Sequence, residues 1–350
     1  MNNSPSALLI GNHLSGAGLT RGVCEELADR LEAKGWRIYR TSSRKNRIAR
    51  LADMVFTIIR MRANYDVAQV AVFSGRAFLW AEASAWALRR VRRPYVLTLH
   101  GGNLPRWSRT RARRVRRLLS SAAVVTTPSR YLLEEMRPYR ADLMLLPNAL
   151  DLSAYPFRMR STIEPRLMWL RAFHEIYNPT MAVRVLALVA QEFPDVWLAM
   201  VGLDKGDGSL QKVFQLADEL AVRPRLEIPG GVQKSEVPKW LNRDDVFLNT
   251  TNVDNTPVSV IEAMACGLCV VSTNVGGIPY LLRNGVDALL VPPNDPAAMA
   301  QAVRRLFKEP GLAERLSENG RKKAEDFDWS VVLPKWENLL KALREQGTRR

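Results

Sequence analysis

A helix start and two carboxylates lie close together in residues 254–277. A polar loop leads into an apolar segment, where Pro257 falls in the predicted first helical turn and Gly267 ends the helix. Unpaired N–H groups and the helix dipole favour an anion at such a start. Asp254 and Glu262, eight positions apart, cannot bind that anion, but they can accept hydrogen bonds from hydroxyl groups. The stretch therefore predicts a site for a phosphate joined to a polyol, which is the chemistry of a nucleotide sugar.

The elements that would position this stretch recur along the whole chain as short apolar runs alternating with longer amphipathic segments. This alternation predicts parallel sheets with helices on their faces. It restarts after a PNALD boundary at 147–151, so we predict two doubly wound α/β domains with a cleft at the carboxyl ends of their strands. The predicted strands are 7–10, 36–41, 67–73, 95–99, 122–126 and 143–146, then 167–170, 196–201, 226–228, 246–249, 268–272 and 288–291. The expected domains are residues 1–150, residues 151–325, and a C-terminal helix in 326–350 that packs back toward the first domain.

Composition indicates a globular protein with 350 residues, of which 47% are hydrophobic. No apolar run approaches the roughly 20 residues that a membrane helix needs. The N-terminus lacks the basic and apolar segments of a signal peptide, so we expect a cytoplasmic location. Cys266 and Cys269 are interpreted as small buried residues, and Asp326 and Asp328 as a helix cap. The three histidines are too dispersed for a metal site, and we expect neither a metal nor another cofactor.

Basic charge is concentrated in the first half of the chain. Residues 1–150 contain 26 Lys and Arg against 10 Asp and Glu, whereas the remainder contains 25 of each. The entire net charge of +16 therefore lies in the first half. Such an excess favours an anionic partner, namely a membrane surface, a nucleic acid or an acidic acceptor.

Several motifs follow one another in order: LTLHGG at 97–102, LPNALD at 146–151, and Asp254 and Glu262 followed by AMACGLCVVSTNVGGIPY. The sequence NGVDALLVPPNDPAAMAQAV comes next. Together they resemble the retaining glycosyltransferases of family 4, also called glycosyl transferases group 1. The resemblance covers most of the chain and is strongest from 244 to 303. It implies the GT-B fold, in which two Rossmann-like domains have parallel sheets that face a central cleft.

The resemblance assigns roles to the opening stretch. Glu262 matches the glutamate that binds the ribose hydroxyls of the nucleotide. Asp254 stands where the family has a glutamate that contacts the sugar of the donor, and the shorter side chain keeps the charge but retracts it. Tyr280 also replaces a family glutamate. The residues implied to hold the diphosphate at the helix start are Asn255, Thr256, Pro257 and Val258.

Cations of the family site are only partly present. Arg171 matches a family arginine that binds the diphosphate. Asn178 stands where the family has a second, lysine ligand. The missing positive charge must come from elsewhere, and Lys205 is a candidate, with an ordinary surface lysine as the alternative interpretation.

The resemblance also places residues of the first domain beside the donor. His100 matches a histidine next to the donor sugar, and Gly16 and Gly18 resemble a glycine loop that closes over the donor. His100 is not assigned as a general base. Retaining enzymes of this fold are usually described as transferring the acceptor proton to the departing diphosphate, while the protein supplies positioning and charge stabilisation.

The segment PRWSRTRARRVRRLL carries arginines on nearly every helical face, so we do not predict a simple core helix there. Each basic residue near an anionic membrane contributes about 1 kcal/mol to binding. We expect this segment to dock the protein on the membrane, with a solvated basic surface as the alternative. The residues of this expected membrane or anion site are Arg106, Trp107, Arg109, Arg113, Arg114, Arg116 and Arg117.

The sequence thus predicts a metal-independent retaining hexosyltransferase that uses a nucleotide-diphosphate sugar. Its acceptor is expected to be a glycan or a lipid-linked glycan in cell-surface polysaccharide or glycolipid synthesis, at the inner face of the membrane. The N-terminal domain would face acceptor and membrane, and the C-terminal domain would bind the donor. Two alternatives stay open, a sugar-nucleotide epimerase of the same fold and a basic nucleic-acid-binding protein; we expect no nucleic-acid partner because no binding module is recognised.

Overall fold

The computed structural model describes residues 4–13, 23–44 and 46–348. Two compact units form: residues 1–149 together with 329–350, and residues 150–328. These boundaries differ from the predicted ones by one residue at the first junction and by three at the second. The last helix therefore belongs to the first unit, although the chain passes through the whole second unit before reaching it.

The first unit contains a parallel six-stranded sheet in the order β2-β1-β3-β4-β5-β6. Its four inner strands are largely buried, as expected for a sheet covered on both faces, whereas the two edge strands are only partly buried. The strands are β1 (Ser6–Ile10), β2 (Arg37–Thr41), β3 (Val67–Val72), β4 (Tyr95–Leu99), β5 (Val124–Thr127) and β6 (Leu143–Leu145). The helices are α1 (Val23–Ala33), α2 (Arg47–Arg60), α3 (Phe78–Arg90), α4 (Leu104–Arg109), α5 (Ala112–Leu119) and α6 (Arg130–Met136).

The second unit contains another parallel six-stranded sheet, in the order β12-β11-β10-β7-β8-β9. This confirms the predicted α/β class with two parallel sheets. The strands are β7 (Arg166–Leu170), β8 (Trp197–Val201), β9 (Leu226–Gly230), β10 (Val246–Asn249), β11 (Cys269–Thr273) and β12 (Leu289–Val291). The helices are α7 (Pro179–Ala190), α8 (Ser209–Glu219), α9 (Val237–Asn242), α10 (Val258–Ala265), α11 (Ile278–Leu281), α12 (Pro296–Lys308) and α13 (Leu312–Glu325).

The final helix, α14 (Trp329–Thr348), closes one face of the first sheet. Its apolar positions recur every three or four residues, and Trp336 and Leu340 are buried in the same cluster as Ala7 and Leu9 of β1. The intervening β1 residues face the opposite cluster under α2 and α3. The first sheet is therefore covered on both faces, with the C-terminal helix supplying part of one face.

The basic segment differs from the expectation of arginines on every face of one helix. It forms two short helices, α4 and α5, separated at Thr110 and Arg111. This break resets the helical phase, so that α5 buries Val115, Leu118 and Leu119 while most of its arginines point outward. The segment therefore has a side that faces the core. A single continuous helix over the same residues would not show this side, because its arginines would fall on nearly every face.

A buried charge network closes the amino end of the second sheet. Arg160 is fully buried and lies 3.2 Å from the carboxylate of Asp245. The neighbouring Asp244 is 2% exposed, and its Oδ2 has no hydrogen-bond partner within the described ranges. Burial raises the pKa of Asp244 to about 7, and the nearby Asp245 and Glu227 act in the same direction. Asp244 is therefore a carboxyl group that the fold favours in its neutral form.

We expect Asp244→Asn to raise the free energy of unfolding by about 4 kcal/mol at pH 8, since each unit of pKa shift is worth about 1.4 kcal/mol. The folded protein binds this proton more tightly than the unfolded chain does, so wild-type stability falls as pH rises from about 4 to 7. Urea unfolding should show the gain shrinking to about 0.5 kcal/mol at pH 4. The exposed Asp195→Asn is the control, and a destabilised Asp244→Asn at pH 8 would show that the carboxylate is compensated.

Candidate functional site

The candidate site of the second unit lies where its strand order reverses. β7 is flanked by β8 on one side and by β10 on the other. After β7 the chain adds β8 and β9 on one side, and then adds β10, β11 and β12 on the other. Open parallel sheets bind ligands at such a switch point, at the carboxyl ends of the strands. Arg171 follows β7, and the polar loop with Asp254 follows β10. The topology therefore brings these two predicted site residues to the same edge.

Arg171 and Asp254 form an ion pair through Nη2 and Oδ2. Their side chains are 18% and 13% exposed, so the pair is largely withdrawn from water. The guanidinium carbon of Arg171 lies 4.4 Å from the ring centroid of Tyr177. The backbone N–H of Arg171 donates to the carbonyl oxygen of Val201 at 3.1 Å. Burial lowers the pKa of Arg171, yet an arginine remains charged at neutral pH. The site thus holds a fixed, partly desolvated cation beside a carboxylate.

The glycine turn after β11 holds the loop that carries Asp254. Gly277 N–H donates to the carbonyl oxygen of Asp254 at 2.9 Å. A Cβ atom on Gly277 would overlap the carbonyl oxygen of Asn255, and one on Gly276 would overlap that of Asp254. Only glycine allows this approach of two backbone segments. The VGG motif is therefore a packing requirement of the site loop.

Helix α10 begins one residue later than predicted, because Pro257 is its N-cap with φ −69° and ψ 115°. Proline has no N–H, so Pro257 cannot donate to an anion. The N–H of Asn255 is already donated to Oδ1 of Asp254 at 2.8 Å. Thr256 and Val258 are thus the predicted residues whose N–H groups are left for a ligand. Ser259, in the first turn, adds a buried hydroxyl that has no hydrogen-bond partner in the described part of the chain.

Glu262 lies on the same helix and is 3% exposed. Its Oε1 accepts a hydrogen bond from the Tyr155 hydroxyl at 2.6 Å and forms an ion pair with Nζ of Lys234. The predicted ribose ligand is therefore a buried carboxylate held by two partners. Neither partner was predicted from the sequence. They are 107 and 28 positions away from Glu262, and no local pattern joins them to it.

The structure gives different surroundings to Asn178, which stands in place of the family lysine, and to Lys205, the candidate for the missing positive charge. Asn178 has a left-handed backbone, with φ 47°, and donates from Nδ2 to Oδ1 of Asn294 at 2.8 Å. Asparagine is one of the few residues that tolerate this conformation. Lys205 is exposed on the loop after β8, and within the described ranges no contact joins it to Arg171 or Glu262. Lys234 is the lysine that the fold brings to the site.

His100 belongs to the first unit and follows the carboxyl end of β4. Its backbone N–H donates to the carbonyl oxygen of Val72 at 2.8 Å, and its ring stacks on the ring of Phe73 with centroids 5.0 Å apart. Burial lowers the pKa of His100 to about 4, which keeps the imidazole neutral at pH 7. Its Nε2 has no hydrogen-bond partner among residues that the structure describes. Gly16 and Gly18 lie outside the described residues.

The expected membrane site is spread over α4 and α5. Trp107 is half-buried against Phe78, with ring centroids 4.6 Å apart, and the guanidinium carbon of Arg111 lies 4.9 Å from the centroid of the Trp107 ring. Arg114 donates from Nε to Glu82 at 2.7 Å and is ion-paired with it. The remaining members of the predicted set have exposed side chains: Arg106, Arg109, Arg113, Arg116 and Arg117.

No cluster of three or more His, Cys, Asp or Glu side chains arranged to hold a metal ion occurs in the residues that the structure describes. Within the same residues, no helix has the length and apolar character needed to cross a bilayer.

Family models match both units. The model of glycosyl transferases group 1 matches residues 164–323, and the model of glycosyltransferase family 4 matches residues 19–154. Together these matches take in most of the chain. The chain belongs to the family 4 glycosyltransferases. This confirms the resemblance that the motifs indicated.

Curated relatives of this glycosyltransferase are similar at low identity. A D-inositol 3-phosphate glycosyltransferase from Streptomyces bingchenggensis is 29% identical over 157 residues, covering 43% of this chain and 34% of the relative. One of the same name from Paenarthrobacter aurescens is 26% identical, covering 72% and 65%. A glycogen synthase from Mycobacterium tuberculosis is 25% identical, covering 56% and 47%. The matched segments thus span about one third to two thirds of these relatives.

Solved structures with the same fold cover nearly the whole glycosyltransferase chain. HepE from Anabaena, crystallised with UDP and glucose, has a TM-score of 0.75 and 17% identity, covering 97% of this chain and 100% of that one. Sucrose-phosphate synthase from Thermosynechococcus elongatus has a TM-score of 0.76 and 19% identity, covering 97% and 99%. These similarities support the GT-B fold class, with its two parallel sheets.

Proposed function

We propose that this protein is a retaining glycosyltransferase that moves a hexose-type sugar from a nucleoside diphosphate to a hydroxyl of a glycan or lipid-linked glycan. The observation that carries the proposal is the grouping of Arg171, Asp254 and the start of α10 at the switch point of the second sheet. A cation and free helix N–H groups suit a diphosphate. Glu262, buried one turn further along α10, suits the diol of a ribose. HepE, a structural neighbour, was crystallised with UDP and glucose.

In the proposed reaction, the acceptor oxygen bonds to the anomeric carbon as the bond from that carbon to the diphosphate oxygen breaks. The acceptor proton passes to the departing diphosphate oxygen, on the same face of the sugar. Negative charge grows on the diphosphate during this step. Arg171 and the N–H groups of Thr256 and Val258 are already in place to stabilise it, and this preorganisation is what lowers the barrier.

Two cations take the place of a metal in this proposal. Arg171 contributes one, and Lys234 is the second basic group at the site, in place of the family lysine that Asn178 replaces. Binding of a nucleotide requires Lys234 to share or leave Glu262. No metal is needed to offset the leaving group, and we propose a metal-independent reaction.

Transfer by the purified protein from UDP-, GDP- and ADP-sugars tests this proposal. We expect one donor to yield a glycoside with the anomeric configuration of the donor, measured by NMR, at a rate unchanged by EDTA. Inversion of configuration would contradict the retaining mechanism. Inactivation by EDTA that Mg²⁺ restores would contradict the metal-independent one. Release of an epimerised nucleotide sugar without a glycoside would identify an epimerase instead.

We also propose that the protein works in cell-surface polysaccharide or glycolipid synthesis, bound to the inner face of the membrane through α5. Changing Arg113, Arg116 and Arg117 to Glu should abolish sedimentation with phosphatidylglycerol vesicles while donor hydrolysis stays unchanged. These side chains are exposed, and each basic residue contributes about 1 kcal/mol to the free energy of binding an anionic membrane. Arg114 is left intact because its reversal would set two carboxylates against each other.

The matched control for this membrane experiment changes three exposed basic residues of the second unit, Lys212, Lys239 and Arg315, to Glu. The net charge changes equally in both triple variants. Vesicle binding should survive in the control. Equal loss in both triple variants would show that net charge, and not the surface of α5, causes the association.

A further inference from the structure

The amino-terminal edge of the first sheet carries a basic cleft that the proposed transfer reaction does not use. The cleft has a volume of about 570 Å³, which is in the range of small-molecule sites. Its walls come from the end of α3, the starts of β4 and β5, and the end of α14. Its polar lining includes three arginines, two serines and no Asp or Glu among the described residues: Arg89, Arg92, Arg93, Ser120 and Ser121.

The cations of this cleft are held in place by neighbouring groups. Arg93 donates from Nε and Nη2 to the carbonyl oxygen of Arg62 at 2.8 and 2.6 Å. Arg89 donates from Nη1 to the hydroxyl oxygen of Tyr95 at 3.3 Å. That hydroxyl lies 2.7 Å from the carbonyl oxygen of Ser121, which joins the α3 side of the cleft to the β5 side. The guanidinium groups of Arg89 and Arg93 are therefore preorganised, so binding an anion through them costs little side-chain entropy.

Arg92 occupies a position that favours glycine. Its φ of 55° is left-handed, in the turn that ends α3 and leads to β4. A long charged side chain is uncommon in that conformation. The opposite wall is fixed as well, because a Cβ atom on Gly347 would lie 2.9 Å from Cγ of Pro94, so that α14 contacts the β4 start directly. The cleft is thus a defined concavity with its positive charge on one side.

We propose that this cleft binds a phosphoryl group, carried either by a soluble phosphate ester or by the headgroup of an anionic lipid. Three arginines and the Ser120 hydroxyl supply several N–H and O–H donors, and arginine is well suited to phosphate oxygens. The Ser121 hydroxyl already donates to the carbonyl oxygen of Leu118. The ligand is not the sugar donor. The five residues of β4 separate the cleft from His100, which is about 15 Å at the usual rise per residue. The inference therefore goes beyond the proposed function and does not depend on it.

Calorimetry with inorganic phosphate tests the cleft. Arg171→Met with Asp254→Asn is introduced into every protein compared, which removes the cation at the start of α10 without leaving Asp254 as an unpaired buried carboxylate. The cleft variant carries Arg89→Gln with Arg92→Gln, and the control carries Arg76→Gln with Arg130→Gln, two exposed arginines that do not line the cleft. We expect one phosphate per chain in the parent and the control, and at least a tenfold weaker affinity in the cleft variant.

Vesicles then distinguish the two sources of the phosphoryl group. Sedimentation is measured with phosphatidylglycerol vesicles and with phosphatidylcholine vesicles, using the same three proteins. Loss of binding to phosphatidylglycerol in the cleft variant alone supports a lipid headgroup. Unchanged sedimentation with lost phosphate binding supports a soluble ester. The proposal is overturned if phosphate shows no saturable binding to the parent, or if cleft and control variants weaken it equally.

Discussion

Arg171→Met should lower kcat/KM for sugar transfer by about 10²–10³-fold, the usual cost of removing one preorganised group that stabilises developing charge. The arginine is held before any substrate arrives, by its ion pair with Asp254 and by the ring of Tyr177. Its positive charge is only partly screened by water, so it acts strongly on a departing diphosphate. Arg171→Lys should recover only part of the rate, because a single ammonium cannot replace the planar fork of a guanidinium.

This experiment must separate catalysis from folding. Removing Arg171 alone leaves Asp254 as a largely buried carboxylate without its cation, which destabilises the protein. The double variant Arg171→Met with Asp254→Asn removes both charges at once. We expect it to recover most of the thermal stability and none of the transfer rate. If the rate recovers together with stability, Arg171 has only a structural role.

Glu262→Gln should weaken binding of the nucleoside diphosphate by about 10–100-fold, because a hydrogen bond to a charged group is worth about 1.5–3 kcal/mol. The carboxylate is buried, and Tyr155 and Lys234 contact its Oε1, which leaves the two lone pairs of Oε2 for the ribose diol. Its amide replacement keeps the shape, but presents N–H donors to hydroxyls that must themselves donate. Calorimetry with the preferred nucleoside diphosphate measures the effect.

A deoxy nucleotide makes the Glu262 experiment specific to the ribose. The wild type should bind the 2′-deoxy nucleoside diphosphate more weakly than the ribonucleotide, whereas Glu262→Gln should bind both alike. Glu318→Gln is the matched control, since Glu318 is also paired with a lysine but is exposed on α13. If Glu262→Gln still discriminates between the two sugars, another residue recognises the ribose.

Much of the fold could be predicted because parallel strands buried on both faces are continuous apolar runs. The strands β4 and β10 were predicted with their observed ends. The range of helix α13 was not predicted, because small residues alternate with large ones among its buried positions. They include Leu316 and Gly320, and a Cβ atom on Gly320 would lie 3.3 Å from Cγ of Met264. A helix that packs so closely shows little of the apolar stripe by which helices are predicted.

The candidate site was predictable where a motif continues along the chain and unpredictable where the fold joins distant segments. Asp254 and Glu262 stand on one loop and helix, so their spacing was informative. The pairing of Lys234 and Tyr155 with Glu262 depends on how the fold brings the segment after β9 and the entry to the second unit beside α10. Asn178 is the converse case. Its departure from the family pattern has a backbone reason, a left-handed φ, that only the structure reveals.

We propose that the second unit binds a nucleoside diphosphate through Arg171 and Glu262. Thermal unfolding with UDP, GDP and ADP, each at 1 mM, tests it most directly, since a ligand that binds the folded state raises Tm by mass action. We predict that one of the three raises the Tm of the wild type by several degrees and leaves that of Arg171→Met with Glu262→Gln unchanged. A Tm that no nucleotide raises, or that rises equally in wild type and double variant, would contradict the account.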